Sequence, residues 1–300
     1  MHVLIVSNPI SGAGEAARHA QRLADQLMQR GHHVSHINSE PRAASVWLAP
    51  VLAGVDRVAV VGGDGTVRSV ALAIADAGVP MVHVPQGNEN LFARTLGMPG
   101  DVDGSIALIE HGERAEVDIA LANGHAMLLM ASIGADAAIV ARVAAERTNH
   151  VSHMHYVRAS MKCFLNTPPR LTIRVDGELL VPGQRGWVVV SNSPHYGAHI
   201  NPAPMASMQD GLLDLTFFRA SSGPEVLNWM VRCRFDRHRT VPGFVHRQVK
   251  DEVLIEYTEP AHWQLDGDPP PEVGPSPLTI THARQRLTIM QCDGRSLPRL

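Results

Sequence analysis

Two rhythms of apolar positions alternate through the first third of this chain. Residues 2–7, 57–61 and 81–84 are short, dense apolar runs, such as Val3-Leu4-Ile5-Val6 and Val58-Ala59-Val60-Val61, and they predict buried strands. Residues 15–30 instead carry Leu23 and Leu27 four apart on a polar background and stop at Gly31, the pattern of an amphipathic helix closed by glycine. A small-residue turn at 11–14, a strand at 33–37, a helix at 42–53 and a helix at 66–77 complete a βαβα order. That order predicts an α/β architecture, a mostly parallel sheet with helices on both faces.

Beyond about residue 115 the runs become strand-like and short. They fall at 115–120, 126–133, 171–175, 187–191, 213–218, 252–257, 261–265 and 278–280. Asn123-Gly124, Asp176-Gly177 and Asp266-Gly267 punctuate them, dipeptides suited to tight hairpins. Helices are expected at 140–147 and 153–165, and Pro269-Pro270-Pro271 reads as a loop between strands. The second half is therefore expected to be strand-rich and antiparallel. Domains are placed at 1–118 and 119–286, with a tail of about 287–300 returning to the first.

One junction in the first half carries chemistry. The strand at 57–61 runs into Gly62-Gly63-Asp64-Gly65-Thr66 and then into a helix. Glycines let backbone approach a phosphate closely and present N–H groups to it, the helix aims its positive end at the same place, and Asp64 is left free for a hydroxyl or a metal-bound water. The stretch has neither the Gly-x-Gly-x-x-Gly spacing of a dinucleotide fingerprint nor a Gly-Lys-Ser/Thr ending. Taken alone it supports phosphate binding or a plain strand-to-helix turn.

Composition excludes several classes. With 300 residues, 45% of them apolar, the chain can build one large domain or two ordinary ones. No run of about 18 apolar residues is present, and the first residues lead straight into a strand without a basic region, so the protein is expected in the cytoplasm. Cys163, Cys233 and Cys292 lie far apart, without Cys-x-x-Cys spacing, and read as reduced thiols. The 17 histidines, including His150, His153 and His155, follow no metal-protease spacing, and a net charge of -3 leaves no nucleic-acid footprint.

Four motifs occur in one order: Asn8-Pro9-Ile10-Ser11-Gly12-Ala13-Gly14, the Gly62–Thr66 loop, Pro85-Gln86-Gly87-Asn88-Glu89-Asn90-Leu91-Phe92-Ala93-Arg94, and Pro204 through Asp210-Gly211-Leu212-Leu213-Asp214. With Leu265-Asp266-Gly267-Asp268 they make nearly the whole chain resemble the diacylglycerol kinase catalytic-domain family, which includes bacterial soluble lipid kinases, sphingosine kinases and ceramide kinases. The resemblance implies an N-terminal domain like that of NAD kinases and phosphofructokinases and a C-terminal antiparallel β-sandwich. It also implies ATP and Mg2+ as cofactors, with a lipid hydroxyl such as that of diacylglycerol as acceptor. Nucleotide contacts carry over to Asn8, Asn38, Gly62, Gly63, Asp64, Gly65, Thr66, Gly87, Asn88 and Asn90. Asp64 and Asp268 carry over as catalytic residues, Asp268 standing where relatives have a glutamate that deprotonates the lipid hydroxyl. A structural magnesium site carries over to the Asp210 carboxylate with the main-chain carbonyls of Ser207 and Leu212.

Departures from the family pattern are Asn88 for threonine, Leu91 for aspartate, Asp268 for glutamate, and Arg68-Ser69 for Asn-Glu. They keep open a non-catalytic nucleotide-binding relative, and the shared glycine loop keeps open an NAD kinase. A lipid acceptor implies contact with a membrane surface, peripheral on its inner face. Residues 225–247, where Val226, Leu227, Trp229, Met230 and Phe235 interleave with Arg232, Arg234, Arg237 and Arg239, suit an anionic interface or an ordinary amphipathic helix. The identity of the lipid and the oligomeric state are not legible.

Overall fold

The computed structural model describes residues 1–145, 166–257, 261–270 and 277–292. The helix expected at 153–165, the end of the one at 140–147, His150, His153, His155, Cys163, Pro271 and the last residues of the tail lie outside these. The chain divides into two units. One holds Met1–Ile119 and the segment beginning at Ala283; the other is Ala120–His282.

The first unit is an α/β layer structure. Its six-stranded sheet runs β2 (His33–Asn38), β1 (His2–Ser7), β3 (Arg57–Gly62), β4 (Met81–Pro85), β16 (Leu287–Gln291), β5 (Glu113–Val117). Strands β1 to β4 are mutually parallel, β16 joins β4 in parallel, and β5 closes the edge antiparallel to β16. Val3, Ile5, Val6 and Val58 to Val61 have no solvent exposure, as strands covered on both faces require. Helix α1 (Glu15–Gln29) turns Ala16, Ala20, Leu23 and Leu27 inward, and α3 (Asp64–Ala77) contributes Val67, Val70, Ala71 and Ile74. Asp118, almost fully buried, pairs with Arg286 at 2.8 Å and ties the exit of β5 to the entry of β16.

The helix expected at 42–53 shortens to α2 (Ala44–Trp47) followed by a 3-10 turn at Ala49–Val51. Pro50 accounts for the break: it lacks an N–H and disfavours helical geometry in the residue before it. Two shorter helices, α4 (Leu91–Thr95) and α5 (Val102–His111), follow β4; the Asp101 carboxylate caps α5 by accepting the Gly104 N–H at 2.7 Å.

The second unit is an antiparallel sheet in the order β12 (Phe244–Val249), β11 (Leu213–Arg219), β10 (Glu178–Ser191), β9 (Arg170–Val175), β13 (Glu252–Tyr257), β15 (Leu278–His282), β6 (Ala120–Ala122), β7 (His125–Met127). Strand β8 (Met130–Ile133) branches off, pairing β10 and β14 (Trp263–Leu265). The α/β plus antiparallel-sheet division matches the fold expected from the sequence. Asn123-Gly124 and Asp176-Gly177 form the two-residue hairpins expected, with φ of 47° and 82°, and 49° and 83°.

Two strand expectations and one segment reading are corrected. The run at 115–120 is the end of β5 and the start of β6, in different units. The run at 126–133 is cut into β7 and β8, because the N–H groups of Leu128, Leu129 and Met130 turn to the Asp266 carboxylate instead of a ladder. Residues 225–247 are not one segment: helix α7 (Gly223–Arg234) is followed by strand β12. Helix α6 (Ala135–Ala145) lies after β8. Among the described residues no helix is long and apolar enough to cross a membrane. Cys233 and Cys292 are free thiols, and burial pushes the Cys233 thiol up to about 12.

Candidate functional site

In the first unit the sequence motifs meet at the carboxyl ends of β1, β3 and β4. The chain leaves β1 toward β2 on one side and β3 toward β4 on the other, so the loops after β1 and β3 flank a topological switch point, where open α/β sheets bind ligands. Each loop has a reason for its glycines. A Cβ on Gly62 would lie 2.6 Å from Thr66 Oγ1, one on Gly87 would lie 2.7 Å from the Gly63 Cα, and one on Gly12, at φ of 59°, would lie 2.9 Å from the Gln86 carbonyl oxygen. The three loops therefore touch backbone to backbone, a closeness that any side chain would forbid.

Side chains lock this arrangement. Asn8 donates from Nδ2 to Thr66 Oγ1 at 3.2 Å and accepts the Ile10 N–H. Asn90, in the left-handed conformation, accepts the Gly87 N–H and returns a bond to the Gly87 carbonyl, both at 2.8 Å. Asn38, at the end of β2, accepts the Ser7 hydroxyl at 3.1 Å; since that hydroxyl has one proton, His36 Nε2 donates to it at 2.8 Å. Asn88 is exposed at the tip of its loop.

Asp64 corrects an expectation. Its carboxylate is not left free: Oδ2 accepts the Leu91 N–H at 2.9 Å and Oδ1 the Phe92 N–H at 3.0 Å, capping α4. The geometry makes it a brace between the second and third loops. Leu91, where relatives have an acid, points into the core. Sequence reasoning missed His83, fully buried on β4, whose Nε2 donates to the Gly62 carbonyl at 2.9 Å and holds up the glycine loop. Burial lowers its pKa, opposed by that bond and by Asp64, so the ring is neutral. A histidine within an otherwise apolar strand was the available signal. A groove of about 520 Å³ lined by Asp56, Arg57, Pro80 and Arg114 lies at the opposite strand ends and includes none of these loops.

In the second unit Asp268 follows a tight turn made by Asp266 and Gly267, at φ of 50° and 83°. Leu265 and Asp268 exchange backbone bonds of 2.9 and 3.0 Å across it. The buried Asp266 carboxylate anchors one side, accepting the N–H groups of Leu128, Leu129 and Met130 at 2.8 to 2.9 Å. The other side is held by Gln264, whose Oε1 accepts the Gly267 N–H at 2.7 Å and whose Nε2 donates to the Tyr196 hydroxyl at 3.3 Å. Tyr196 and Ser132 in turn donate to the buried Asp136 carboxylate. Burial raises the pKa of both Asp136 and Tyr196, the two hydroxyl donors opposing it at Asp136. None of these bracing residues was foreseen except Asp266, and that only as a turn former.

Asp210 is exposed, with Oδ1 accepting the Leu212 N–H at 3.1 Å, Gly211 at φ of 76°, and Ser207 Oγ accepting the Gln209 N–H at 3.3 Å. Among the described residues no three His, Cys, Asp or Glu side chains gather as a metal cluster. Ser207, Asp210 and Leu212, the oxygen donors expected at a structural cation, thus fall within one short loop.

Comparison with known proteins finds relatives of both units. Residues 2–122 match the family described as the diacylglycerol kinase catalytic domain, and residues 130–291 match the YegS C-terminal NAD kinase beta sandwich-like domain. A diacylglycerol kinase of Mycobacterium tuberculosis is 27% identical over 236 residues, 75% of each chain. One of Bacillus subtilis is 23% identical over 270 residues, 88% of each. An uncharacterized protein of Synechocystis is 32% identical over 156 residues, of whose length this chain spans 36%. A crystal structure of a diacylglycerol kinase from Bacillus anthracis superposes with a TM-score of 0.70 at 20% identity, covering 99% of this chain and 98% of that one, a likeness of fold.

Proposed function

This chain belongs to the lipid kinase family that joins a diacylglycerol kinase catalytic domain to a YegS-type C-terminal domain, and on that premise we propose that it transfers the γ-phosphate of ATP to a lipid hydroxyl such as that of diacylglycerol. The observation that carries the reading is the convergence of three loops, packed backbone to backbone, at the start of helix α3. The Gly62–Thr66 loop, with the positive end of α3, would receive the nucleotide phosphates, flanked by Asn8, Asn38, Gly87, Asn88 and Asn90. Mg2+ bound with the nucleotide would supply charge neutralisation at the phosphate oxygens. A separate structural cation would be held by Asp210 with Ser207 and Leu212.

Asp268 is assigned the proton. It takes the proton from the acceptor hydroxyl as the oxygen attacks the γ-phosphorus, and the leaving oxygen departs on ADP. Its turn, pinned by Asp266 on one side and Gln264 on the other, fixes the backbone from which the carboxylate projects, the condition for a positioned base. Asp64 is assigned the bracing of the phosphate loop. The lipid is met at a membrane surface.

A non-catalytic reading draws on Leu91, whose buried side chain puts no carboxylate beside the third loop. Transfer of labelled γ-phosphate to a lipid panel in mixed micelles, with NAD tested in parallel, separates the readings. A lipid product supports the kinase; a product from NAD alone, or ATP binding without transfer, contradicts it.

A further inference from the structure

The side of helix α7 turned away from the core of the second unit is itself apolar. Val226, Trp229, Met230 and Cys233 face inward and are buried. Leu227, Val231 and Phe235 are 43%, 49% and 65% exposed, and at about 100° per residue they share one stripe with the exposed Pro224 and Asn228. A helix apolar on both sides has something to cover the second side when it works. No Asp or Glu falls in this stripe, and Arg234 borders it with its guanidinium carbon 5.9 Å from the Phe235 ring centroid.

The end of the helix adds cations. Asp236 adopts a φ of 49°, its N–H bonds the Cys233 carbonyl at 3.3 Å, and the Arg237 N–H bonds the Arg232 carbonyl at 2.8 Å, a Schellman closure that folds Arg237 back onto the helix end. Arg239 follows, clasped to Asp236 at 2.8 Å. Arg170 of β9, Arg185 of β10 and Arg219 of β11 line a recess of about 170 Å³ with Ser221, two residues before the helix. The whole chain carries a net charge of -3, so this cationic and apolar surface departs locally from the average.

We propose that this face of α7 docks on an anionic phospholipid bilayer, with Leu227, Val231 and Phe235 entering among the acyl chains and Arg234 and Arg237 meeting the phosphates. Apolar side chains bordered by guanidinium groups match the layering of such an interface, in which anionic oxygens lie directly above hydrocarbon. The assignment takes its purpose from the lipid kinase reading and deepens it by naming the docking element.

The test is sedimentation of the full chain, without nucleotide, on phosphatidylcholine vesicles with and without phosphatidylglycerol. The wild-type protein is expected to bind the anionic vesicles at least tenfold more tightly and to be released by salt. The pair Leu227→Ser with Phe235→Ser, and the pair Arg234→Gln with Arg237→Gln, are each expected to weaken binding tenfold or more with unchanged circular dichroism and urea midpoint. Phe235→Trp is expected to show blue-shifted emission on anionic vesicles. No vesicle binding by the wild-type chain, variants that bind as tightly, or a wild-type dimer that the serine pair dissociates would overturn the proposal, the last making a second copy the occupant. Transfer to a short-chain, monomeric diacylglycerol separates the two levels. It stays unchanged in the variants if α7 only docks, whereas vesicle binding without transfer to any acceptor sinks the kinase reading and leaves the docking assignment standing.

Discussion

Asp64 and Asp266 do comparable work in different units: each turns a carboxylate onto backbone N–H groups that would otherwise lack partners. Asp64 serves two such groups and Asp266 three, the latter buried. A hydrogen bond to a charged group contributes about 1.5–3 kcal/mol, and an orphaned buried donor costs about 1–3 kcal/mol. Asp266→Ala is therefore expected to cost on the order of 4 kcal/mol and Asp64→Ala about 2–3 kcal/mol, measured by urea denaturation. Loss of ATP affinity in Asp64→Ala should accompany the latter, since the brace holds two loops. His83 sets a pH dependence. Its pKa is depressed in the folded state, so the unfolded chain binds the proton first, and stability present above about pH 6.5 is lost as pH falls below it. Asp136 runs the other way, its raised pKa returning stability as pH falls toward the carboxylate range. His83→Gln should reduce the fall in melting temperature between about pH 7.5 and 5.5.

At the scale of elements, the close approach of Gly63 and Gly87 decides whether the site exists. A Cβ at position 87 would sit 2.7 Å from the Gly63 Cα, backbone that cannot yield as a flexible side chain does. Gly87→Ala is expected to push the loops apart and weaken ATP binding by tenfold or more by calorimetry, whereas Gly100→Ala, with nothing within 4 Å, should leave it unchanged. The elements that sequence located well were those whose period is local: β1, β3, α1 and the Asn-Gly and Asp-Gly hairpins. Those it misplaced depend on distant partners. Nothing in Leu128-Leu129-Met130 announces that Asp266 will draw off their N–H groups. The 225–247 segment likewise gave no sign that its second part pairs with β11.

For the whole molecule, the returning strand is the feature with most consequence. Leu287, Ile289 and Met290 of β16 are buried between β4 and β5, and Arg286 neutralises the buried Asp118. A chain ended at His282 would leave β4 with an open apolar edge and Asp118 without that partner. It should fail to fold its first unit, seen as dye binding to exposed apolar surface and loss of the cooperative melt. The candidate site was legible in part. Glycines and asparagines that shape backbone leave a readable spacing, so the three loops could be found; Gln264, Tyr196 and Asp136, which hold the Asp268 turn through side chains far apart in sequence, could not.

Asp268 is proposed as the base of a lipid kinase. The most direct test is the rate of γ-phosphate transfer from ATP to diacylglycerol by the wild-type chain and by Asp268→Asn, with ATP affinity measured on the same preparations. The expected result is a loss in kcat of about a hundredfold or more in the variant at unchanged ATP affinity, in the range of a removed general base. Equal rates in the two proteins, or no transfer by the wild-type chain to any lipid while ATP still binds, would contradict it.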